Sequence, residues 1–366
     1  MPAPNKKSRV FVGPVNISGL GVSLANALKA VGVTAHSYAY HKHPFGYSAD
    51  FNGVLWGYFE RSTLTKLFVN RITRGIINSC IRFGLLIYCL FRYDTFLFIS
   101  PHTLFYNRSD LPILKFFGKQ IAFILPGCGE RDPQEPINAE PGKVCNICDD
   151  TELQKGCLCQ EPVKKRRRMK YIEKYGDHFF GARDLTGYFD DPEDYHVAYN
   201  PSPEPKTQEP LKKFEADRIV IAHFPSSRVH KGSKYVLPAM EKVQAKYGDR
   251  IEFITGNMPH AELMEVLETR VHLLLDQFFM YPGVLSVEAM AMGCAVMAHT
   301  PEYFRAKRPG LPVIYANIRT IEEAVTELIE HPEKLKQIAE DSVNYYHQYH
   351  SPKATGAYYK RILNLS

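Results

Sequence analysis

Hydrophobic and polar positions along the chain alternate between two periods. Short β-branched or aromatic runs are followed, almost throughout, by stretches with apolar positions three and four apart, the signature of repeated β-α units and a parallel sheet. Near the start, "RVFVG" predicts a strand, "VSLANALKAVG" a helix and "VTAHSYAY" a second strand. A long amphipathic helix over residues 62–92 leads into strand "TFLFIS", and "KQIAFILPG" predicts another. A Cys-rich insert, 128–160, precedes a basic helix, "EPVKKRRRMKYIEKYG", and the segment "DHFFGARDLTGYF". Residues 200–213, "NPSPEPKTQEPLKK", carry proline and charge and read as a linker.

A second alternating series follows. Strands "RIVIAHF", "IEFITG", "HLLLDQF" and "CAVMAHT" are separated by helices "KYVLPAMEKVQAKYG", "AELMEVLETR" and "VLSVEAMAMG"; helical stretches 320–348 and 352–364 close the chain. The expected fold class is α/β, with two doubly wound, Rossmann-like domains facing across a cleft. They span residues 1–200 and 214–350, the C-terminal helix 352–366 packing back on the first. Ligands of such domains bind at the carboxyl ends of strands, so chemistry is sought in the residues after each strand.

A chain of 366 residues can bury two cores, and 45% hydrophobic with 23% charged residues is a globular composition. The net charge of +6 suits anionic ligands but does not by itself argue for nucleic acid. The most apolar segment is interrupted by Arg82, Arg92 and Asp94, and its charge-free core, Phe83 to Phe91, is far short of the roughly 20 residues that span a bilayer. With no apolar signal region at the N-terminus, a cytoplasmic location is expected, where structural disulfides among the eight cysteines are disfavoured.

Two loops favour an anion. After "RIVIAHF", the loop "PSSRVHKGS" places Arg228 and Lys231 three apart where a helix opens, so backbone N–H groups and two cations converge. After "HLLLDQF", Pro282 and Gly283 make a turn, and the helix from Val284 and Leu285 onward points its first N–H groups the same way. Glu288 falls about one turn in, where a carboxylate can accept two hydrogen bonds from a ribose diol. Together the loops suit a nucleoside diphosphate.

Across residues 218–300, with "SSRVHKG" and "GVLSVEAMAMGCAV" as its marks, the chain resembles the family-four glycosyltransferases, retaining enzymes of the GT-B fold that use nucleotide sugars. The resemblance implies that Arg228 and Lys231 hold the donor diphosphate and Glu288 the donor ribose, with Gly283 the family's glycine before it. A first acid is expected at position 280, which is Met280; Asp276 or Gln277 are the alternatives. It further implies that the turn "GPVNISGLGVSL", through Gly19 and Gly21, brings backbone toward the donor phosphates and the acceptor. Relatives place a histidine after the strand that ends here in Pro126–Gly127; the substitutes are His102, Glu130, Arg131 and Asp132, with His102 carried as the catalytic candidate. His36, His41 and His43 are acceptor-side candidates. No two aspartates are separated by one residue, against the metal-dependent GT-A class, so no catalytic metal is expected. The implied partners are a nucleotide-diphosphate sugar and a glycan or lipid-linked acceptor, in cell-surface polysaccharide assembly.

Cys145, Cys148, Cys157 and Cys159 lie within fifteen residues at spacings that suit a structural zinc ion, with Cys128 a possible replacement ligand. Cys80, Cys89 and Cys294 sit among apolar neighbours, as core residues do. The run Lys164 to Arg168 beside the insert raises a zinc-knuckle nucleic-acid binder as an alternative, but it lacks interleaved aromatics for base stacking. Peripheral contact with an anionic membrane suits the basic helix and the apolar stretch 67–91 better. A nucleotide-sugar epimerase or a non-catalytic sugar-nucleotide binder keeps the fold and changes the chemistry.

Overall fold

The computed structural model describes residues 7–15, 17–40, 49–52, 71–127, 162–181, 195–279 and 281–366, and the chain divides into two compact units. Of the described residues, unit 1 holds those up to 127, those between 162 and 199, and Pro352–Ser366; unit 2 holds Asn200–Ser351. The four zinc-candidate cysteines, Cys128, Glu130, Arg131, Asp132, His41, His43 and Met280 lie outside the described residues.

Unit 1 is built on seven parallel strands: β1 (Arg9–Gly13), β2 (Thr34–Ala39), β3 (Phe51–Asn52), β4 (Thr95–Ile99), β5 (Gln120–Ile124), β6 (His178–Gly181) and β7 (Tyr195–Val197). They lie in the order β3-β2-β1-β4-β5-β6-β7. The pleat sends alternate residues of one strand into two different cores. Val10 and Val12 of β1 pack with α1 (Leu20–Ala30) and the chain's last helix, Pro352–Ile362. Phe11 between them packs on the opposite face, which is covered by α2 (Arg71–Arg92), α3 (Asp110–Phe116) and α4 (Pro162–Glu173). The last helix meets α1 closely enough that a Cβ on Gly356 would stand 2.0 Å from the Ala27 carbonyl oxygen, so only glycine fits there.

Unit 2 has five parallel strands: β8 (Ile219–His223), β9 (Ile251–Thr255), β10 (Leu273–Leu275), β11 (Ala295–Ala298) and β12 (Val313–Tyr315), in the order β12-β11-β10-β8-β9. Its helices are α5 (Arg228–Lys231), α6 (Ser233–Tyr247), α7 (His260–Thr269), α8 (Val284–Ala291), α9 (Glu302–Ala306), α10 (Ile321–Glu330) and α11 (Pro332–Tyr345); the last helix of the chain is then α12. Ile221, Leu273 and Met297 bury themselves against α6 and α10, while Ala222, Leu274 and Val296 pack against α7 and α8.

Three local expectations are revised. The stretch 320–348 is two helices, because Pro332 lacks the N–H that would continue the first, and His331 before it leaves helical geometry (φ −125, ψ 67). Cys89 and Cys294 are buried but Cys80 is exposed, on the outer side of α2. The linker is also tied down: Thr207 N–H donates to Glu268 (2.6 Å), and the Lys213 ammonium to the carbonyls of Leu267 and Met292 (2.7 Å each).

Candidate functional site

In each unit the first strand is flanked by strands that run off in opposite directions along the sheet. The reversal falls between β1 and β4 in unit 1, and between β8 and β10 in unit 2. At such a reversal the connecting helices leave to opposite faces, and the loops at the carboxyl ends separate to leave a crevice. The loops in question are those after β8 and β10, which carry Arg228, Lys231, Gly283 and Glu288, and those after β1 and β4, which carry Gly19, Gly21 and His102.

In unit 2, the end of β8 is fixed first. The His223 ring lies 2.8 Å from the Leu275 carbonyl through Nδ1 and 2.8 Å from Ser233 Oγ through Nε2. The carbonyl can only accept, so Nδ1 carries the proton and Nε2 accepts from the serine hydroxyl. Burial, chiefly, and the nearby Lys231 charge lower its pKa and hold the ring neutral. This clamp joins β8, β10 and the start of α6, and so sets the α5 turn between them.

Lys231 ends α5, and its ammonium sits on Oδ1 of Asp276, the first residue after β10. The Asp276 side chain is fully buried; its Oδ2 accepts the Ser286 hydroxyl and lies 3.5 Å from the Gly283 N–H at the start of α8. A buried carboxylate needs this many partners to offset its lost hydration. The consequence for binding is specific. Lys231 is a neutralised cation built into the floor of the loops, and the α8 N-terminus already faces an internal anion.

Arg228 differs. It is exposed and has no hydrogen bond or ion pair among the described residues. It borders a cavity of about 120 Å³ with Pro225, Ser233 and Leu237 on one side and Thr255, Gly256 and Asn257, at the end of β9, on the other. Glu288, in the second turn of α8, is 4% exposed, and its Oε1 lies 2.8 Å from His260 Nε2 at the start of α7. Gln277 donates to the Tyr281 carbonyl (3.0 Å), and its amide occupies the space a Cβ on Gly283 would need, 2.8 Å away.

In unit 1, Gly19 takes the left-handed conformation (φ 72) as the residue before α1, a geometry that favours glycine. Gly21 is buried in the first turn, facing Ile99. His102 is exposed beyond β4, its Nδ1 3.1 Å from Ser100 Oγ. Desolvation, then the charges of Arg108 and Arg168, lower its pKa, so the ring is neutral near pH 7. Its loop is stiff: buried Asp110 accepts from the Thr103 hydroxyl (2.6 Å) and the Leu104 N–H (2.9 Å). His36 lies within β2, its ring edge-on to Phe51 and Tyr93.

Sequence reasoning did not single out His260, His223 or Ser286, and carried Asp276 only as a stand-in for Met280. Asp276 did leave a signal, as a lone acid ending the apolar run "HLLLDQF". His260 left none, because its partner is 28 residues away.

No protein-family model matches the chain, and no curated protein matches it. Solved structures do. Sucrose-phosphate synthase from Thermosynechococcus elongatus superposes with a TM-score of 0.63 at 11% identity, over 98% of both chains. HepE of Anabaena, solved with UDP-glucose, gives 0.56 at 12%, over 97% of this chain and 99% of that one. A UDP-N-acetylglucosamine 2-epimerase gives 0.51 at 12%, over 98% and 95%. At these identities the likeness is one of fold, and the fold is that of the GT-B glycosyltransferases and sugar-nucleotide epimerases.

Proposed function

We propose that the protein is a glycosyltransferase that moves a sugar from a nucleoside-diphosphate sugar to a hydroxyl of a glycan or lipid-linked acceptor, in the assembly of cell-surface glycans. In this reading unit 2 holds the donor. The carboxylate of Glu288 accepts from the ribose hydroxyls, Arg228 grips the diphosphate with its forked guanidinium, and the N–H groups of Val284 and Leu285, which follow the one turned to Asp276, add fixed dipoles. The cavity beside Arg228 takes part of the nucleoside. As the bond between the sugar carbon and the phosphate oxygen breaks, charge gathers on the leaving diphosphate, and in this reading the Arg228 guanidinium opposes it. Neutral His102 in unit 1 can hydrogen-bond the acceptor or the sugar, and Gly19 lets the backbone after β1 come close to them.

The observation that carries the reading is the state of Glu288: a carboxylate almost wholly buried, with one oxygen on His260, beside a strand-order reversal that also presents an unpaired arginine. The likeness to HepE, which binds UDP-glucose, supports a uridine donor. An epimerase is the second reading, favoured by Met280 standing where the resemblance places an acid and by the epimerase neighbour. Product analysis separates them. A transferase releases nucleoside diphosphate only with an acceptor present, whereas an epimerase converts the donor without one.

A further inference from the structure

Large apolar side chains exposed to solvent are not scattered over this protein. Of the nine such residues among those described, eight lie on a single layer, the α2–α3–α4 face of unit 1; the ninth is Tyr315 in unit 2. Phe83, Ile87 and Phe91 are spaced four apart on α2, so they form one stripe along its outer side, with Phe91 82% exposed. Leu86, Cys89 and Tyr93 point the other way, into the sheet. Phe116 (85% exposed) and Phe117 end α3, and Val163 begins α4. Tyr88 and Tyr106 belong to the same layer.

The layer is continuous. Arg82 of α2 donates to the Leu104 carbonyl (2.7 Å) and lies 3.8 Å from the Tyr106 ring centroid, in the loop before α3. Lys119, two residues past Phe117, donates to the Tyr93 carbonyl (2.7 Å), two residues past Phe91, so the two aromatic groups share one end of the layer. Leu86, Leu114 and Met169, from the three helices, meet in one core beneath it.

Among the described side chains of these helices, Lys164, Arg166, Arg167 and Lys170 of α4 are exposed and Arg92, Lys115 and Arg168 half-buried, whereas Arg82 and Lys165 are buried; the acids are the half-buried Glu173 and the buried Asp110. An aromatic stripe with a cationic surround is the pattern that enters the headgroup region of an anionic bilayer. A second copy of the chain docking on this face would bring like charges together. No helix among the described residues is long and apolar enough to cross a membrane. We propose that the α2–α3–α4 face of unit 1 docks the protein on anionic membrane, the Phe83–Ile87–Phe91 stripe entering the headgroup region. This surface is independent of the donor site in unit 2.

Vesicle flotation tests it, with phosphatidylcholine vesicles and with phosphatidylcholine–phosphatidylglycerol vesicles, at low and high salt. The expected result is flotation with the anionic vesicles only, weakened by salt. The triple variant Phe83→Ser/Ile87→Ser/Phe91→Ser should lower the partition about tenfold or more at an unchanged melting temperature. Phe116→Ser/Phe117→Ser should act in the same direction. Absence of flotation by the parent protein overturns the proposal, as does equal flotation by both variants. A parent dimer that the triple variant turns into a monomer also overturns it, by assigning the stripe to a second copy.

Discussion

The Lys231 ammonium rests on the Asp276 carboxylate inside unit 2, with 10% and 0% of the two side chains exposed, although 45 residues separate them in the chain. The pair divides the labour of two basic residues that stand three apart. Lys231 fixes the loops after β8 and β10 to each other, and Arg228 remains open to a ligand.

Lys231→Met should therefore act first on stability. It strands a buried carboxylate, which costs about 3–5 kcal/mol, and Lys231→Met/Asp276→Leu should recover much of that loss. Denaturant unfolding of the single and double variants measures both. Arg228→Ala, by contrast, should leave the unfolding curve within about 0.5 kcal/mol of the parent, as exposed substitutions do.

His260 should act through Glu288. If the pair orients the carboxylate toward a ribose diol, His260→Ala weakens nucleotide binding about tenfold, near the lower end of the worth of one hydrogen bond to a charged group. It should also reduce the preference for a ribonucleotide over its 2′-deoxy form, and His260→Gln should restore part of it. A variant that loses stability but keeps the full 2′-hydroxyl preference would show that the histidine serves packing alone.

Acid should destabilise unit 2 through His350. Burial lowers the pKa of this histidine to about 4, while its Nδ1 proton is held by the Asn200 carbonyl at 2.8 Å. The unfolded chain takes up a proton near pH 6.5 and the folded one does not until about 4, so the stability of the neutral form is present above 6.5 and is lost as pH falls from 6.5 to about 4. The loss amounts to about 3 kcal/mol by the bottom of that window. His350→Asn should flatten the slope of unfolding free energy against pH over that range; an unchanged slope would assign it to other groups.

Gly356→Ala should break the seat of α12 on α1. Its Cβ would meet backbone, not a movable side chain, so α12 must shift. A loss of about 2 kcal/mol or more in unit 1, seen by hydrogen exchange as faster opening of α1, is the expected result.

Much of the fold was legible because its signals are local. The alternation of periods located the longer strands and helices of both units, and loops after "RIVIAHF" and "HLLLDQF" were identifiable because a polar, glycine-bearing turn follows an apolar run. Strands β3 and β7, of two and three residues, are too short to show a period. The site was legible as residue types but not as partnerships. Arg228, Lys231 and Glu288 all stand out by position, yet whether a cation is open or internally neutralised depends on Asp276, and the aim of Glu288 depends on His260. Those are contacts between separate loops, and a one-dimensional pattern does not carry them.

The most direct test of the donor site is calorimetric titration of UDP, GDP and ADP into the parent protein, Glu288→Ala and Arg228→Ala. Binding of at least one nucleotide by the parent, weakened about tenfold or more in each variant, is the outcome expected from loss of a hydrogen bond to a charged group. No binding by the parent, or equal binding by all three proteins, would contradict the account.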